Sequence, residues 1–204
     1  MTAEHFFTET PTTPARPREV EFSVAGVDFA LTSSTGVFSG ARLDPGTAVL
    51  LRKADLPGPA TSGDLLDLGC GYGPITAVLA TVAPKARIVA IDVNSRAREL
   101  TEANALRLGI ADRVLVAAPD DVPDELTFTQ IWSNPPIHIG KPELHALLDR
   151  WLPRLAPDGV AWLVVAKNLG GDSLQQWLIG RGYDVERTAS QKGFRILRLT
   201  LTAA

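Results

Sequence analysis

From Asp64 onward, short apolar runs alternate with segments whose apolar residues recur at helical spacing. Short apolar runs between turn residues are typical of buried strands, and the longer periodic segments are typical of amphipathic helices. This alternation predicts a doubly wound α/β fold, Rossmann-like, in which helices cover both faces of a mostly parallel sheet. The predicted strands are residues 65–68, 87–91, 113–117, 129–132 and 160–165, and the predicted helices are residues 75–82, 95–108 (with Asn94 as N-cap), 142–155 and 173–181.

The two ends of the chain depart from this alternation. Strands predicted at residues 183–188 and 194–201 are joined by five residues, about half of what a parallel crossover needs, so the sheet should end in an antiparallel hairpin. Before the alternation begins, residues 21–24 and 27–31 flank Ala25-Gly26 and predict a β-hairpin.

The remaining N-terminal residues complete an extension to the core. Prolines among the first 19 residues favour an extended arm, residues 35–40 predict a loop, and residues 47–53 predict a helix. We therefore expect one structural domain, divided into an N-terminal extension (residues 1–60) and a core (residues 61–204), with the four tryptophans feeding one core.

Composition limits the function classes. The chain has 204 residues, one cysteine, a net charge of −3 and no apolar run long enough to span a membrane. Its start shows neither a basic region nor an apolar stretch of the kind that secretory signals carry. We expect a cytoplasmic protein without a membrane partner, and any contact with nucleic acid has to use a local basic face.

The segment Asp67-Leu68-Gly69-Cys70-Gly71-Tyr72-Gly73-Pro74 follows one predicted strand and opens a helix. Its glycines let a ligand approach the backbone, and the helix N-terminus offers free N–H groups. Asp92 closes the next strand 19 positions after Gly73, where an acidic group binds ribose hydroxyls in doubly wound folds. Together these features predict a nucleoside-containing cofactor.

A nicotinamide oxidoreductase would use the same crevice and stays an alternative. The dinucleotide fingerprint is G-x-G-x-x-G, whereas this chain has G-x-G-x-G with Asp67 two residues before the first glycine. A carboxylate beside the loop suits a cationic ammonium group better than a pyrophosphate.

Ser133-Asn134-Pro135-Pro136-Ile137 follows the fourth predicted core strand, at the edge where open α/β sheets bind their ligands. The two prolines restrict the backbone, so the Asn134 carboxamide oxygen and the Pro135 carbonyl can be held as two fixed acceptors. An exocyclic NH2 group offers two matching donors.

These residues resemble class I S-adenosylmethionine-dependent methyltransferases that modify amino groups of bases, whose signature is N/D-P-P-aromatic. Within that group the chain resembles the small methyltransferase-domain family, which includes bacterial 16S ribosomal RNA guanine-N2 methyltransferases and shorter single-domain relatives. The resemblance spans about residues 18–199, and its most specific stretches are residues 35–39, 68–75 and 134–141.

The resemblance implies a role for each matching position. S-adenosylmethionine would be the cofactor, with Asp92 on its ribose, Val93 near its adenine and Asp120 as the candidate for the adenine amine. The methionine end would contact Asp67, Gly69, Gly71 and Gly73, and the cofactor site would also include Cys70 and Asn134. The catalytic residues would be Asn134, Pro135 and Pro136, and the substrate contacts would be Phe38, Ile137, His138, Lys141 and Lys167.

One position departs from the broader signature. Ile137 stands where many amino methyltransferases have an aromatic residue that stacks on the target base, so Phe38 becomes the candidate for stacking. His138, Lys141 and Lys167 are candidates for phosphate or base contacts, and each also fits an ordinary exposed polar residue.

The sequence thus predicts methyl transfer to an exocyclic amine, with N2 of guanine in small-subunit (16S) ribosomal RNA as the expected acceptor and ribosomal RNA or the small ribosomal subunit as partner. Because the sulfonium is already activated, neither a metal nor a dedicated general base is required. The target base has to be unpaired or flipped. The alternatives are another acceptor (adenine N6, transfer RNA or protein glutamine) and a non-catalytic RNA-binding assembly protein that keeps the fold.

Overall fold

The computed structural model describes residues 10–136, 139–167 and 170–202. Its strands are β1 (Pro17–Val24), β2 (Val27–Ser34), β3 (Ser62–Leu68), β4 (Lys85–Ile91), β5 (Val114–Ala117), β6 (Phe128–Ser133), β7 (Leu155–Ala166), β8 (Tyr183–Gln191) and β9 (Phe194–Leu201). Its helices are α1 (Pro45–Lys53), α2 (Pro74–Val82), α3 (Ser95–Arg107), α4 (Lys141–Trp151) and α5 (Gly171–Gly180).

Seven strands form the central sheet in the order β5-β4-β3-β6-β7-β9-β8. The strands from β5 to β7 are parallel, whereas β9 pairs antiparallel with both β7 and β8. The predicted doubly wound sheet and its antiparallel C-terminal hairpin are therefore confirmed. Because parallel strands end at the same edge, the residues after β3, β4 and β6 meet there.

The sheet separates two hydrophobic clusters rather than enclosing one core. One cluster contains Trp132 and Trp162, whose ring centroids are 5.8 Å apart, together with residues of α1, α2 and the N-terminal hairpin. The cluster on the other side contains Trp151 and has Trp177 packed against it. The expectation that all four tryptophans share one core is wrong, because Trp151 and Trp177 lie on α4 and α5, which pack on the opposite face of the sheet from α1 and α2.

The N-terminal segment packs against the core along α3. The Asn104 side chain bonds both the N–H and the carbonyl of Thr32 on β2, at 2.8 Å each. Arg96 donates from Nη1 to the carbonyls of Thr13 (2.8 Å) and Thr35 (3.0 Å), which fixes the extended arm and the loop after β2. The predicted hairpin is confirmed as β1 and β2, with Ala25 and Gly26 at positive φ in its turn.

Two of the differences between the predicted and observed boundaries have a clear physical cause. Helix α4 ends at Trp151, and Leu152–Arg154 form a 3₁₀ turn because Pro153 cannot supply the helical N–H. Residues 157–159, which precede the strand predicted at residues 160–165, lie within β7. Phe128 of β6 pairs with Leu155 and Gln130 pairs with Val160, so the β7 residues between Leu155 and Val160 leave the regular register. None of the helices in the described part of the chain is long and apolar enough to cross a membrane.

Candidate functional site

A cavity of about 360 Å³ lies where the carboxyl ends of β3, β4, β6 and β7 meet the N-terminal segment. It is the place where open α/β sheets bind ligands. The N-terminal segment contributes Phe38, Ser39, Asp44 and Thr47. The core contributes Leu68, Gly69, Cys70, Gly71, Tyr72, Pro74, Ile75, Ile91, Asp92, Val93, Asn94, Ala97, Pro119, Asn134, Pro135, Pro136, Leu147, Ala166 and Phe194.

The glycines after β3 form one wall of this cavity. Gly69 and Gly71 have φ values of 81° and 59°, and a Cβ atom on either would meet no described atom within 4 Å. A side chain at Gly69 or Gly71 would therefore occupy open space at the cavity wall. Gly73 has a different role, because it is the N-cap of α2 and its Cβ would lie 3.1 Å from Thr101 Oγ1.

Asp92 ties this glycine loop to the end of β4. Its Oδ2 accepts a 2.9 Å hydrogen bond from the Gly71 N–H, and its Oδ1 accepts one of the same length from the Asn94 N–H. Burial raises the pKa of Asp92, and these two hydrogen bonds act against that rise. The carboxylate also lines the cavity, next to Val93, whose side chain is 40% exposed.

Asp67 lies behind the glycine loop rather than on the cavity surface. Its Oδ2 accepts hydrogen bonds from Thr76 N (2.9 Å) and Thr76 Oγ1 (2.6 Å), and its fully buried Oδ1 has no partner among the described residues. Burial raises the pKa of Asp67 to about 7, against the lowering effect of the Thr76 hydrogen bonds. Burial likewise raises the pKa of the Cys70 thiol.

Asn134 is held by the N-terminal segment. Its Nδ2 donates to Asp44 Oδ1 at 2.7 Å and to Thr47 Oγ1 at 3.0 Å. Asp44 is also the N-cap of α1, since the same Oδ1 accepts from the Thr47 N–H at 3.0 Å. Because a carboxylate only accepts hydrogen bonds, the amide nitrogen has to face Asp44, and Oδ1 of Asn134 stays available as an acceptor.

The other predicted residues fall into three groups. Phe38, which is 38% exposed, lines the cavity, as do Pro135 and Pro136 beside Asn134. Lys141 and Lys167 are exposed, at the start of α4 and after β7, and neither belongs to the described lining. Ile137 and His138 lie outside the described residues.

Asp120 is placed differently from its predicted contact with a cofactor adenine. Its side chain is 88% exposed and forms an ion pair with Arg150 at 2.7 Å. Pro119, rather than Asp120, lines the cavity near the end of β5.

The lining residues that sequence reasoning missed include Asp44, Thr47, Tyr72 and Phe194. The first had a readable signal, because Asp44-Pro45 is a typical N-cap followed by proline at the first helical position. Tyr72 and Phe194 carry no such signal. The Tyr72 hydroxyl is buried without a partner among the described residues, and burial raises its pKa further above the ordinary value.

Comparisons with known proteins agree with this geometry. The family described as methyltransferase small domain matches residues 28–198. The uncharacterized protein YbxB of Bacillus subtilis is 33% identical over 198 residues, covering 96% of this chain and 98% of that protein. Ribosomal RNA small subunit methyltransferase C of Pseudomonas aeruginosa is 34% identical over 192 residues, covering 91% of this chain and 55% of that protein.

A solved structure shares the fold. The T. thermophilus 16S rRNA N2 methyltransferase (RsmC), in complex with AdoMet and guanosine, superposes with a TM-score of 0.79 at 23% identity, over 94% of this chain and 52% of that one. The chain thus spans about half the length of the ribosomal RNA methyltransferases it matches.

The residues present fit the cofactor of this family. The cavity combines a glycine wall without Cβ atoms, a carboxylate at Asp92 and the N-terminus of α2. Such a set accommodates a nucleoside with an amino-acid tail. The chain therefore belongs to the methyltransferase small domain family, and it is a methyltransferase whose cofactor is S-adenosylmethionine.

Proposed function

We propose that this methyltransferase acts on an exocyclic amine of a nucleic-acid base, with N2 of guanine in small-subunit ribosomal RNA as the acceptor. The observation that carries the proposal is the orientation of Asn134. Its Nδ2 bonds Asp44 and Thr47, which both lie on the side of the N-terminal segment, and this leaves its carboxamide oxygen for a ligand in the cavity.

The cofactor would be held by the residues around the glycine loop. The Asp92 carboxylate would accept hydrogen bonds from the ribose hydroxyls, and the hydrogen bond from the Gly71 N–H keeps it in place. The amino-acid end of the cofactor can approach the backbone at Gly69, Cys70 and Gly71. When bound, S-adenosylmethionine supplies a methyl group on a positively charged sulfur.

Asn134 and Pro135 would hold the acceptor amine. Asn134 Oδ1 and the Pro135 carbonyl accept the two N–H bonds of the exocyclic NH2 group, which leaves its lone pair free for the methyl carbon. Positive charge grows on the nitrogen during transfer, so both acceptors bind the transition state more strongly than the ground state. The adjacent Asp44 carboxylate polarises the Asn134 amide in the same direction. One amine proton then leaves to water.

The cavity walls fit a planar base. Phe38 and Phe194 both line the cavity, and aromatic side chains stack on unpaired bases. A base inside a duplex cannot reach Asn134, so the acceptor nucleotide has to be single-stranded, looped or flipped.

The ribosomal assignment rests on the relatives. The Pseudomonas aeruginosa protein named ribosomal RNA small subunit methyltransferase C covers 91% of this chain, and the T. thermophilus structure contains guanosine. The chain spans about half the length of those proteins. A folded subunit or an assembly intermediate would supply part of the recognition surface, because the net charge of −3 gives no global attraction to RNA.

The test is transfer of labelled methyl from S-adenosylmethionine to small ribosomal subunits and to free ribosomal RNA from a strain that lacks this gene. Nucleoside analysis should find the label in N2-methylguanosine, and Asn134→Ala should abolish it. Label in N6-methyladenosine would show that the acceptor is N6 of adenine rather than N2 of guanine. Label in protein glutamine, or none in any RNA despite cofactor binding, would overturn the proposal.

A further inference from the structure

A second cavity, here called the arm cavity, lies between the N-terminal arm and the loop that follows β2. Its volume is about 470 Å³, and it is open to solvent. Its lining consists of Thr13, Arg18, Ser34, Thr35, Gly36, Val37, Ser39, Gly40, Ala41 and Arg42. Two of these residues carry a positive charge and none carries a negative charge.

We propose that the arm cavity binds a backbone phosphate of the RNA whose base enters the cavity at Asn134. The proposal rests on the proposed function and adds to it the site where the sugar-phosphate chain is held. The ligand chemistry is a phosphodiester, bound by Arg18 and Arg42.

The two arginines are free to bind an anion. Both are exposed, and neither forms an ion pair with any acid in the described part of the chain. Arg18 lies on β1 opposite Ser33 of β2, whereas Arg42 follows the loop, so the two side chains reach the cavity from different elements. Guanidinium groups bind phosphate oxygens through paired, charge-assisted hydrogen bonds.

A buried hydroxyl adds a donor. Ser34 lines the arm cavity with only 3% of its surface exposed, and its Oγ has no hydrogen-bond partner among the described residues. Buried polar atoms are almost always paired in folded proteins, so an unpaired hydroxyl at a cationic cavity indicates a ligand that accepts a hydrogen bond.

The walls of the arm cavity are fixed before any ligand binds. Arg96 Nη1 holds the Thr13 carbonyl on one wall and the Thr35 carbonyl on the other. Gly40 lies so close to β2 that a Cβ there would be 2.2 Å from the Ser34 carbonyl oxygen. A site built in this way loses little conformational freedom when it binds.

The position of the arm cavity identifies the source of the phosphate. Ser39 lines both cavities, and its neighbour Phe38 lines the one at Asn134. A nucleotide whose base lies against Phe38 therefore places its backbone at the loop that separates the two cavities. The adjoining phosphate of the same strand then lies within reach of Arg42.

The test is the double variant Arg18→Gln/Arg42→Gln. Its matched control is Arg52→Gln/Lys85→Gln, which removes the same charge from exposed side chains outside both cavities. The readout is the KM for free small-subunit ribosomal RNA at several KCl concentrations, with cofactor affinity measured separately. The first variant should raise this KM about tenfold or more and leave cofactor affinity unchanged. The slope of log KM against log salt should fall by about 0.7 for each phosphate that the variant no longer neutralises.

The outcomes separate this proposal from the proposed function. The phosphate site is wrong, and the proposed function stands, if the wild type methylates the RNA and the double variant has the same KM and the same salt slope as the wild type. The same holds if the double variant and the control pair have the same KM and the same salt slope. If the wild type methylates no RNA, the proposed function fails and the phosphate site fails with it.

Two further measurements check the chemistry. Ser34→Ala should keep the melting temperature of the wild type and raise the KM for RNA; an unchanged KM contradicts the role of the hydroxyl. Calorimetric titration of inorganic phosphate into RNA-free protein tests a free anion as the ligand. Phosphate binding that the double variant loses while its KM for RNA is unchanged would assign the arm cavity to a free anion and overturn the proposal.

Discussion

Asn134 Nδ2 donates a 2.7 Å hydrogen bond to Asp44 Oδ1, across 90 positions of the chain. The proposed catalytic amide is thus oriented by a helix cap that lies before the cofactor-binding fold begins. Asp44 is a positioning residue in this arrangement, since its carboxylate acts on the substrate through Asn134.

Asp44→Ser tests this relationship. Serine keeps an N-cap for α1, so the stability should change little, whereas the shorter side chain cannot hold the Asn134 amide. We expect kcat to fall by about 100-fold, as for other small displacements of a reacting group, with the KM for S-adenosylmethionine unchanged. Steady-state kinetics and thermal melting provide both readouts. A variant that loses stability and activity together would assign Asp44 a structural role only.

Asn134→Ala should remove methyl transfer and spare cofactor binding. The change deletes the proposed acceptor oxygen but leaves the glycine loop and Asp92 in place. Calorimetry with S-adenosylmethionine and a single-turnover transfer assay separate the two effects. Normal transfer in this variant would remove Asn134 from the mechanism.

Asp92→Ala should weaken cofactor binding by about 10-fold to 100-fold, the range for losing hydrogen bonds to a charged group. The loss has two sources, since the carboxylate would bind the ribose and also holds the Gly71 N–H. Asp120→Ala is the matched control. Its exposed side chain pairs with Arg150, so we expect an unchanged dissociation constant. Equal losses in both variants would restore Asp120 as a cofactor contact.

Asp67 should make stability depend on pH. Its pKa is about 7 in the folded protein against 3.8 as the ordinary value, so the folded state binds this proton more tightly. The protonated carboxyl contributes at most about 4 kcal/mol to the free energy of unfolding. This contribution is present below a pH of about 4 and is lost as the pH rises to about 7.

Urea unfolding of Asp67→Asn and wild type across this window measures the effect. The variant, which cannot ionise here, should gain stability relative to wild type as pH rises. The control is Asp55→Asn, which makes the same substitution at an exposed position. A constant difference between Asp67→Asn and wild type would show that burial does not hold the carboxyl neutral.

Phe38→Leu tests stacking on the target base. Stacking of a base on an aromatic ring contributes about 1–3 kcal/mol, so the KM for RNA should rise by about tenfold. Cofactor affinity should stay the same, because the leucine keeps an apolar side chain in the wall. An unchanged KM would move the stacking role to Phe194, which lines the same cavity.

Local patterns predicted the fold because each element carries its own signal. Asn94 illustrates this, since its side chain caps α3 by accepting from the N–H groups of Arg96 and Ala97, as its position before the helix predicted. The mostly parallel sheet followed from strand–helix alternation, and its antiparallel end followed from the short connection before β9. Predictions were weaker at Pro153, where the helix ends early because proline lacks an N–H, and at residues 157–159, where pairing between strands decides the backbone.

Long-range contacts within the site had no comparable signal. The glycine loop, Asp92 and Asn134 stand in motifs, and the structure places Gly69, Gly71, Asp92 and Asn134 in the lining of one cavity. The bond between Asn134 and Asp44 depends on how the N-terminal segment packs on the sheet, and no spacing in the sequence encodes it. Asp120 is the converse case. Its position in the sequence suggested a contact with the cofactor, but its side chain forms an ion pair with Arg150 on α4.

Trp132 and Trp162 face each other across β6 and β7 with an interplanar angle of 32°. Two indoles so close couple their electronic transitions, so the pair should give a characteristic exciton signal in the circular dichroism spectrum. Trp132 comes two residues before Asn134, and both rings are buried. The protein thus carries a label-free optical reporter of the strand that presents its proposed catalytic amide, and this reporter distinguishes a variant with altered chemistry from one whose sheet has come apart.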